Sequence, residues 1–203
     1  MPPRSTLLLS LFLVAVLVGT AHAGSPTQAV RDANQTVSRL LEKKAAPGSE
    51  AESRQAAEVT KKLRSFLDVD QLGQRALVDH WGKLTADQQG EFLSLLRGLI
   101  EKNYVKGLRA NLKYKVRYTG EKKQGGYMLV TTEIDTKRRG RPFTIAVDYL
   151  LRKDDGTWRT FDVITDGVGL VENYRSQFNS IIGKHGFDGL LERMRKKAAK
   201  GPA

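Results

Sequence analysis

Residues Phe161 to Phe178 read FDVITDGVGLVENYRSQF, and this stretch contains the transition that decides the fold. Its first half is typical of a β-strand and ends at Asp166-Gly167, a pair that favours a turn. Its second half repeats apolar residues at helical spacing, at Leu170, Val171, Tyr174 and Phe178. The stretch therefore predicts a strand that turns a corner and continues as an amphipathic helix. Neither half has the residue pattern of a catalytic site.

The segment before this stretch predicts three more strands, because the hydrophobic period falls from about 3.6 residues to 2 after Lys113. The first strand has Val116 and Tyr118 on one face and lysine or arginine on the other. The second covers Tyr127 to Thr136. The third, from Phe143 to Leu151, shows the clearest alternation, with every second residue apolar.

Short charged or glycine-containing segments separate these strands. Gly125-Gly126, residues 137–140 and Asp154-Asp155-Gly156 each favour a hairpin turn. Together with a fourth strand, Thr157 to Thr165, the segments predict an antiparallel sheet in sequence order. One face of this sheet is apolar, so helices or a ligand must cover it.

Helical periodicity dominates the rest of the chain, which predicts an α+β fold. The N-terminal helices are expected at 29–41, 56–66 and 68–80. Thr85 and Gln88 form a capping box, in which each side chain satisfies a backbone donor of the other residue, and a longer helix follows it to Leu108. Two closing helices are expected at 170–182 and 187–194, with a break at 183–186 and a basic tail at about 193–203.

The first 23 residues have the three parts of an export signal. Arg4 supplies a positive charge, Leu7 to Val18 is an uninterrupted apolar run, and Ala21-His22-Ala23 is a small-x-small cleavage site. The run is too short to span a bilayer comfortably. We therefore expect a signal peptide at 1–23, an exported chain that begins at Gly24, and a single domain over 24–203.

The amino-acid composition limits the kinds of functional site and partner that this chain can have. The chain has no cysteine, which excludes disulfides, thiol nucleophiles and cysteine-ligated metals. Its net charge of +12 favours anionic partners, either nucleic acid or membrane headgroups, although the charge could serve solubility alone. Export makes nucleic acid the weaker choice. After residue 23 only His80 and His185 remain as histidines, and no HExxH or GxSxG motif is present, so catalysis has little support.

Two blocks of this sequence resemble the MlaC family, also called the toluene-tolerance family. The first is Leu67 to Leu108, with Trp81, Lys83, Thr85, Gln88, Phe92 and Tyr104 at the matching positions. The second runs from Trp158 through Asp162, Gly167, Leu170, Tyr174, Arg175 and Phe178 to Leu190. One departure is Gly169, where a serine would be expected.

The resemblance implies a cone similar to the nuclear-transport-factor-like proteins, in which helices and a four-stranded, curved antiparallel sheet enclose a deep apolar pocket. Family members carry phospholipid through the periplasm, between the outer membrane and an inner-membrane ABC transporter, and contribute to outer-membrane lipid asymmetry. The implied partners are phospholipid, an inner-membrane ABC transporter complex, an outer-membrane lipoprotein assembly and a transient membrane-surface contact. No cofactor, metal or nucleic acid is expected.

The apolar faces of the predicted elements supply the candidate lipid-binding residues. Each of them could instead be ordinary core, and the sequence leaves both roles open. They are Leu96, Leu99, Tyr104, Val116, Val130, Phe143, Ile145, Val147, Tyr149, Val163, Tyr174 and Phe178. Arg175 is the candidate headgroup contact at the mouth, with a pairing to Asp162 as the alternative.

Two other functions stay open. An enzyme with the same cone-like architecture would act on a small apolar substrate and would use an interior carboxylate, with Asp148, Asp162 and Asp166 as the candidates. A protein-binding adaptor would dock its basic face on a membrane transport complex and would need no filled pocket.

Overall fold

A computed structural model describes residues 24–42, 45–46, 48–110, 115–138 and 141–199, with side chains described except at 41, 103–110 and 137–138. The expected signal peptide at 1–23 lies outside these residues, as do the last four residues of the basic tail. The helices are α1 (Pro26–Glu42), α2 (Glu50–Phe66), α3 (Val69–Ala76), a short 3-10 turn (Trp81–Lys83), α4 (Ala86–Ala110) and α5 (Leu170–Ala199). No helix in this part of the chain combines the length and hydrophobicity that a membrane crossing requires.

The strands form one antiparallel sheet in sequence order: β1 (Lys115–Gln124), β2 (Tyr127–Arg138), β3 (Arg141–Asp154), β4 (Thr157–Thr165) and β5 (Val168–Gly169). The predicted α+β class and antiparallel sheet are confirmed, but the sheet has five strands and not four. The fifth strand forms because Asp166 and Gly167 both adopt positive φ and turn β4 into a short hairpin before α5 begins. Two residues of strand are too few to produce an alternating pattern in the sequence.

The helix boundaries follow the local signals. The predicted capping box is present, since the Thr85 amide donates to Gln88 Oε1 at 3.0 Å and the Gln88 amide donates to Thr85 Oγ1 at 3.2 Å. The third helix is shorter than expected and ends at Ala76. Within α5 the helical backbone is interrupted at Gly186, whose φ of 69° is left-handed, and this interruption corresponds to the predicted break between two closing helices.

Among the described residues, apolar side chains collect in two large cores and one small cluster of Val37 with Val59. The helical core lies among α3, α4 and α5 and contains Phe92, Leu96, Phe178 and Leu190, all buried. The sheet core lies between the inner face of the sheet and α1, and it contains Val30, Val130, Val147, Tyr149 and Leu151.

The link between α2 and α3 connects the two cores at Asp68. Its amide donates to the Thr160 carbonyl of β4 at 2.7 Å, while its buried carboxylate caps α3 and pairs with Arg152 of β3 at 2.7 Å. The same carboxylate therefore holds a helix start and a strand in fixed positions. This arrangement sets the sheet against the helical core and leaves α1 and α2 to cover the inner face of the sheet.

Candidate ligand cavity

A cavity of about 410 Å³ lies between the inner face of the sheet and the helices that cover it. Its wall is mostly apolar and comes from every layer of the fold. The wall residues are Ala33, Asn34 and Val37 of α1; Lys62, Leu63 and Phe66 of α2 with Leu67; Ile100 of α4; Ile134, Thr136, Ile145, Val147, Tyr149, Thr160 and Val163 of the sheet; and Leu170.

The strand register explains the sheet side of this wall. Ile134 of β2 is paired with Ile145 of β3, and Tyr149 of β3 is paired with Val163 of β4. Because paired residues point to the same face and the side-chain period is 2, Val147 points to that face as well. The sheet therefore presents a continuous row of branched and aromatic side chains to the cavity.

The helix side is held by α1, whose first half is fastened to the sheet. Trp158 Nε1 donates to the Gly24 carbonyl at 2.8 Å, and the Thr27 hydroxyl donates to a Glu121 carboxylate oxygen at 2.6 Å. The Arg31 guanidinium lies 4.0 Å from the centre of the Tyr118 ring. Beyond these contacts Val37 packs on Val59 of α2 and not on the sheet, so space remains beneath α1.

Four of the candidate residues line the cavity together. They are Ile145, Val147 and Tyr149 of β3, the strand with the clearest alternation in the sequence, and Val163 of β4. Phe66 contacts Tyr149 with 6.2 Å between the ring centres, which connects this wall to α2.

Four other candidates lie in the helical core and not at the cavity. Leu96, Leu99 and Phe178 are buried there, and Tyr174 stacks on Phe178 with ring centres 5.4 Å apart. The reason is that the apolar stripes of α4 and α5 face each other and α3. Burial also raises the pKa of the Tyr174 hydroxyl.

None of the other described candidates lines the cavity. Val130 is fully buried in the sheet core, Val116 is half-buried on the edge strand β1, and Phe143 is 41% exposed near the end of β3. Tyr104 lies in the part of α4 whose side chains are outside the described residues.

Arg175 has a different environment from the one expected. Its Nη2 donates to the Arg75 carbonyl at 2.8 Å, so it satisfies the last turn of α3 and is not part of the cavity wall. The suggested partner, Asp162, instead accepts a hydrogen bond from the Val171 amide at 3.1 Å and caps the start of α5. Burial raises the pKa of the Asp162 carboxyl, and hydrogen bonds from backbone amides act in the opposite direction.

The Asp162 carboxylate also explains Gly169. A Cβ at this position would lie 2.8 Å from Asp162 Oδ2, which is closer than two such atoms normally approach. A serine would therefore require the capping carboxylate to move. The Asp162 carboxylate thus lies in the space that a side chain at this position would occupy.

The sequence interpretation missed the helix side of the wall. In α1 Ala33 follows Val30 by three residues and Val37 follows Ala33 by four; in α2 Leu63 follows Val59 by four residues and Phe66 follows Leu63 by three. An apolar sheet face has to be covered, so these two apolar stripes could have identified α1 and α2 as the helices that cover it. Lys62 carries no apolar signal and could not be found in this way.

The carboxylates considered for an enzyme are not gathered in the cavity. Asp162 caps α5, and Asp166 accepts from the Ala146 amide at 3.1 Å in the β4–β5 turn. Asp148 pairs in register with Thr131 and points away from the cavity wall. Within the described ranges no group of three or more histidine or acidic side chains is placed to hold a metal ion.

Comparison with known proteins adds to this geometry. The model of the MlaC protein family matches residues 31–196. The intermembrane phospholipid transport system binding protein MlaC of Haemophilus influenzae is 22% identical over 140 residues, which cover 68% of this chain. The same match spans 65% of the Haemophilus protein's length.

A solved structure shares the fold. It is the phospholipid-binding protein from Ralstonia solanacearum, determined in complex with a phospholipid, with a TM-score of 0.70 and 21% identity. The match covers 87% of this chain and 98% of that one. The family model covers most of the residues that build the sheet, the helical core and the cavity, and this chain belongs to the MlaC family.

Proposed function

We propose that this protein binds a phospholipid with its acyl chains in the cavity between α1, α2 and the sheet, and carries it between membranes. The observation that carries the proposal is the cavity itself, about 410 Å³ with a mostly apolar wall. This volume is within the range of about 300–1,000 Å³ that ligand pockets occupy. The Haemophilus relative is named for phospholipid transport, and the Ralstonia neighbour was solved with a phospholipid bound.

The physics of transfer explains why such a carrier needs a cavity and no reactive group. Transfer of each acyl methylene from an apolar environment to water costs about 0.8 kcal/mol of free energy. A lipid therefore does not cross an aqueous compartment alone at a useful rate. A protein whose wall matches the bilayer interior makes loading nearly neutral, and small differences between docking partners then decide delivery.

The proposal includes the compartment and the partners. The export signal expected at 1–23 would place the chain in the periplasm, between two membranes. There it would exchange lipid with an inner-membrane ABC transporter complex and with an outer-membrane lipoprotein assembly, and so contribute to outer-membrane lipid asymmetry. The basic surface of the chain favours brief contact with anionic headgroups during loading.

The proposal is tested with protein purified from the periplasm of a host that expresses the full chain. Organic extraction followed by mass spectrometry should recover about one phospholipid per chain. Delipidated protein should also take up labelled phospholipid from vesicles. A folded preparation that neither retains phospholipid nor accepts it would overturn the proposal.

A further inference from the structure

Lys62 is the charged residue of the cavity wall, where the other described wall residues are apolar or uncharged. It lies on α2, one turn before Phe66, and its side chain is half-buried. Within the described part of the chain no ion pair joins it to an acidic side chain, although Glu58 lies one turn earlier on the same helix. A half-buried lysine can keep its stem against apolar surface while its ammonium reaches water.

A cavity wall that only has to contact acyl chains needs no charged group. An ammonium that has no ion-pair partner among the described residues is therefore unexpected in this wall. Partial removal from water weakens the hydration of the ammonium and strengthens its attraction to an opposite charge. The ligand that best fits this arrangement has an apolar tail and one anionic group at its end. A lipid phosphodiester and a fatty-acid carboxylate both meet this description.

We propose that Lys62 selects the ligand by binding an oxyanion attached to the acyl chain, so that the cavity prefers anionic lipids to uncharged lipids with the same tails. This inference rests on the proposed function, because it assigns the headgroup end of the same site. It places the headgroup at α2, on the cavity wall, and not at Arg175, whose guanidinium Nη2 already bonds the Arg75 carbonyl.

The test measures competition between lipids that differ only in the anionic group. Delipidated full-length protein is offered vesicles that contain dioleoyl phosphatidylglycerol and dioleoylglycerol in equal amounts. A second set contains oleate and oleyl alcohol. The bound ratio of charged to uncharged lipid is read by mass spectrometry for the wild type, Lys62→Gln, Lys62→Arg and Lys61→Gln. Lys61 is the matched control, since it is the preceding residue of α2, is exposed and is not part of the wall.

Lys62→Gln should lower the charged-to-uncharged ratio about fivefold, the effect of one partly solvated ion pair. Lys62→Arg should restore the ratio, and Lys61→Gln should leave it unchanged. A fall confined to the phosphatidylglycerol set identifies a phosphodiester as the oxyanion, and a fall confined to the oleate set identifies a carboxylate. A ratio that Lys62→Gln does not alter in either set, or that Lys61→Gln alters equally, overturns the inference. Wild-type protein that takes up no lipid in any set would instead overturn the proposed function.

Discussion

The helical core and the sheet core contain similar residues but differ in how completely they are filled. In the helical core the Phe92 ring makes edge contacts with Phe178 at 5.3 Å and Trp81 at 6.4 Å between ring centres. In the sheet core the branched side chains of the inner face border about 410 Å³ of open space. The comparison indicates that apolar side chains supply stability where they interlock and leave a cavity where they do not.

This difference separates the two tasks of the molecule. Dispersion contacts are lost wherever a side chain borders a void, so residues that face the cavity contribute less to folding than equally large residues in a filled core. The helical core should therefore carry most of the stability that packing provides. Substitutions in the sheet core should therefore lower the free energy of unfolding only a little, but they should change ligand binding strongly.

The largest expected effect is the loss of stability in Phe92→Ala. Phe92 is fully buried at the centre of the helical core, so its removal should cost about 3–5 kcal/mol of the free energy of unfolding. Urea denaturation followed by circular dichroism measures this cost. A loss below about 1 kcal/mol would mean that the helical core is not the principal source of stability.

A matched pair of truncations sharpens the comparison between the two cores. Leu96→Ala removes a side chain that is 1% exposed in the helical core and should cost about 3 kcal/mol. Ile145→Ala removes a half-buried side chain at the cavity and should cost about 1 kcal/mol, because fewer contacts are lost. Urea midpoints of the two variants should differ clearly, and equal losses would contradict the separation of roles.

Gly169→Ser tests the junction between the cores. Its new side chain would meet the Asp162 carboxylate that caps α5, so the substitution should cost about 1–2 kcal/mol of the free energy of unfolding. Gly183→Ser is the control, because a Cβ at this position in α5 has no neighbour within 4 Å. The prediction fails if thermal unfolding shows the two variants to be equally stable.

The smallest expected effect is on the outer face of the sheet. Arg117 Nε donates to Asp135 at 2.8 Å, and this contact lowers the pKa of the Asp135 carboxyl to about 2. A lowered pKa in the folded state stabilises the fold above the ordinary value near 3.8, and that contribution is lost as the pH falls through about 2. Arg117→Gln should raise the pKa toward its ordinary value in an NMR titration, with little change in stability at neutral pH, because both groups are exposed. An unchanged pKa in the variant would show that Arg117 is not the cause.

Local signals in the sequence were sufficient for much of the fold. The Thr85 and Gln88 capping box and the Asp155-Gly156 turn depend on a few neighbouring residues, so their chemistry can be read without tertiary information. The strand from Phe143 to Leu151 has a clear period of 2, and three of its residues, Ile145, Val147 and Tyr149, contribute to the sheet side of the cavity.

The rest depends on which surfaces meet, and no local pattern records that. The stripes of α4 and α5 contain the same residue types as a cavity wall, yet Leu96 and Phe178 face each other's helices. Arg175 has the charge of a headgroup contact, but its partner is a carbonyl 100 residues away. Lys62 lies one helical turn from Phe66, and only the packing of α2 on the sheet brings it to the cavity.

The most direct measurement of the central claim compares the lipid content of two tryptophan variants. Val147→Trp places a large side chain in the cavity, whereas Ala146→Trp places the same side chain on the exposed, opposite face of β3. Bound phospholipid per chain, measured by extraction and mass spectrometry on folded protein, should fall to near zero in Val147→Trp and stay at the wild-type level in Ala146→Trp. A folded Val147→Trp variant that carries phospholipid at the wild-type level would contradict the account.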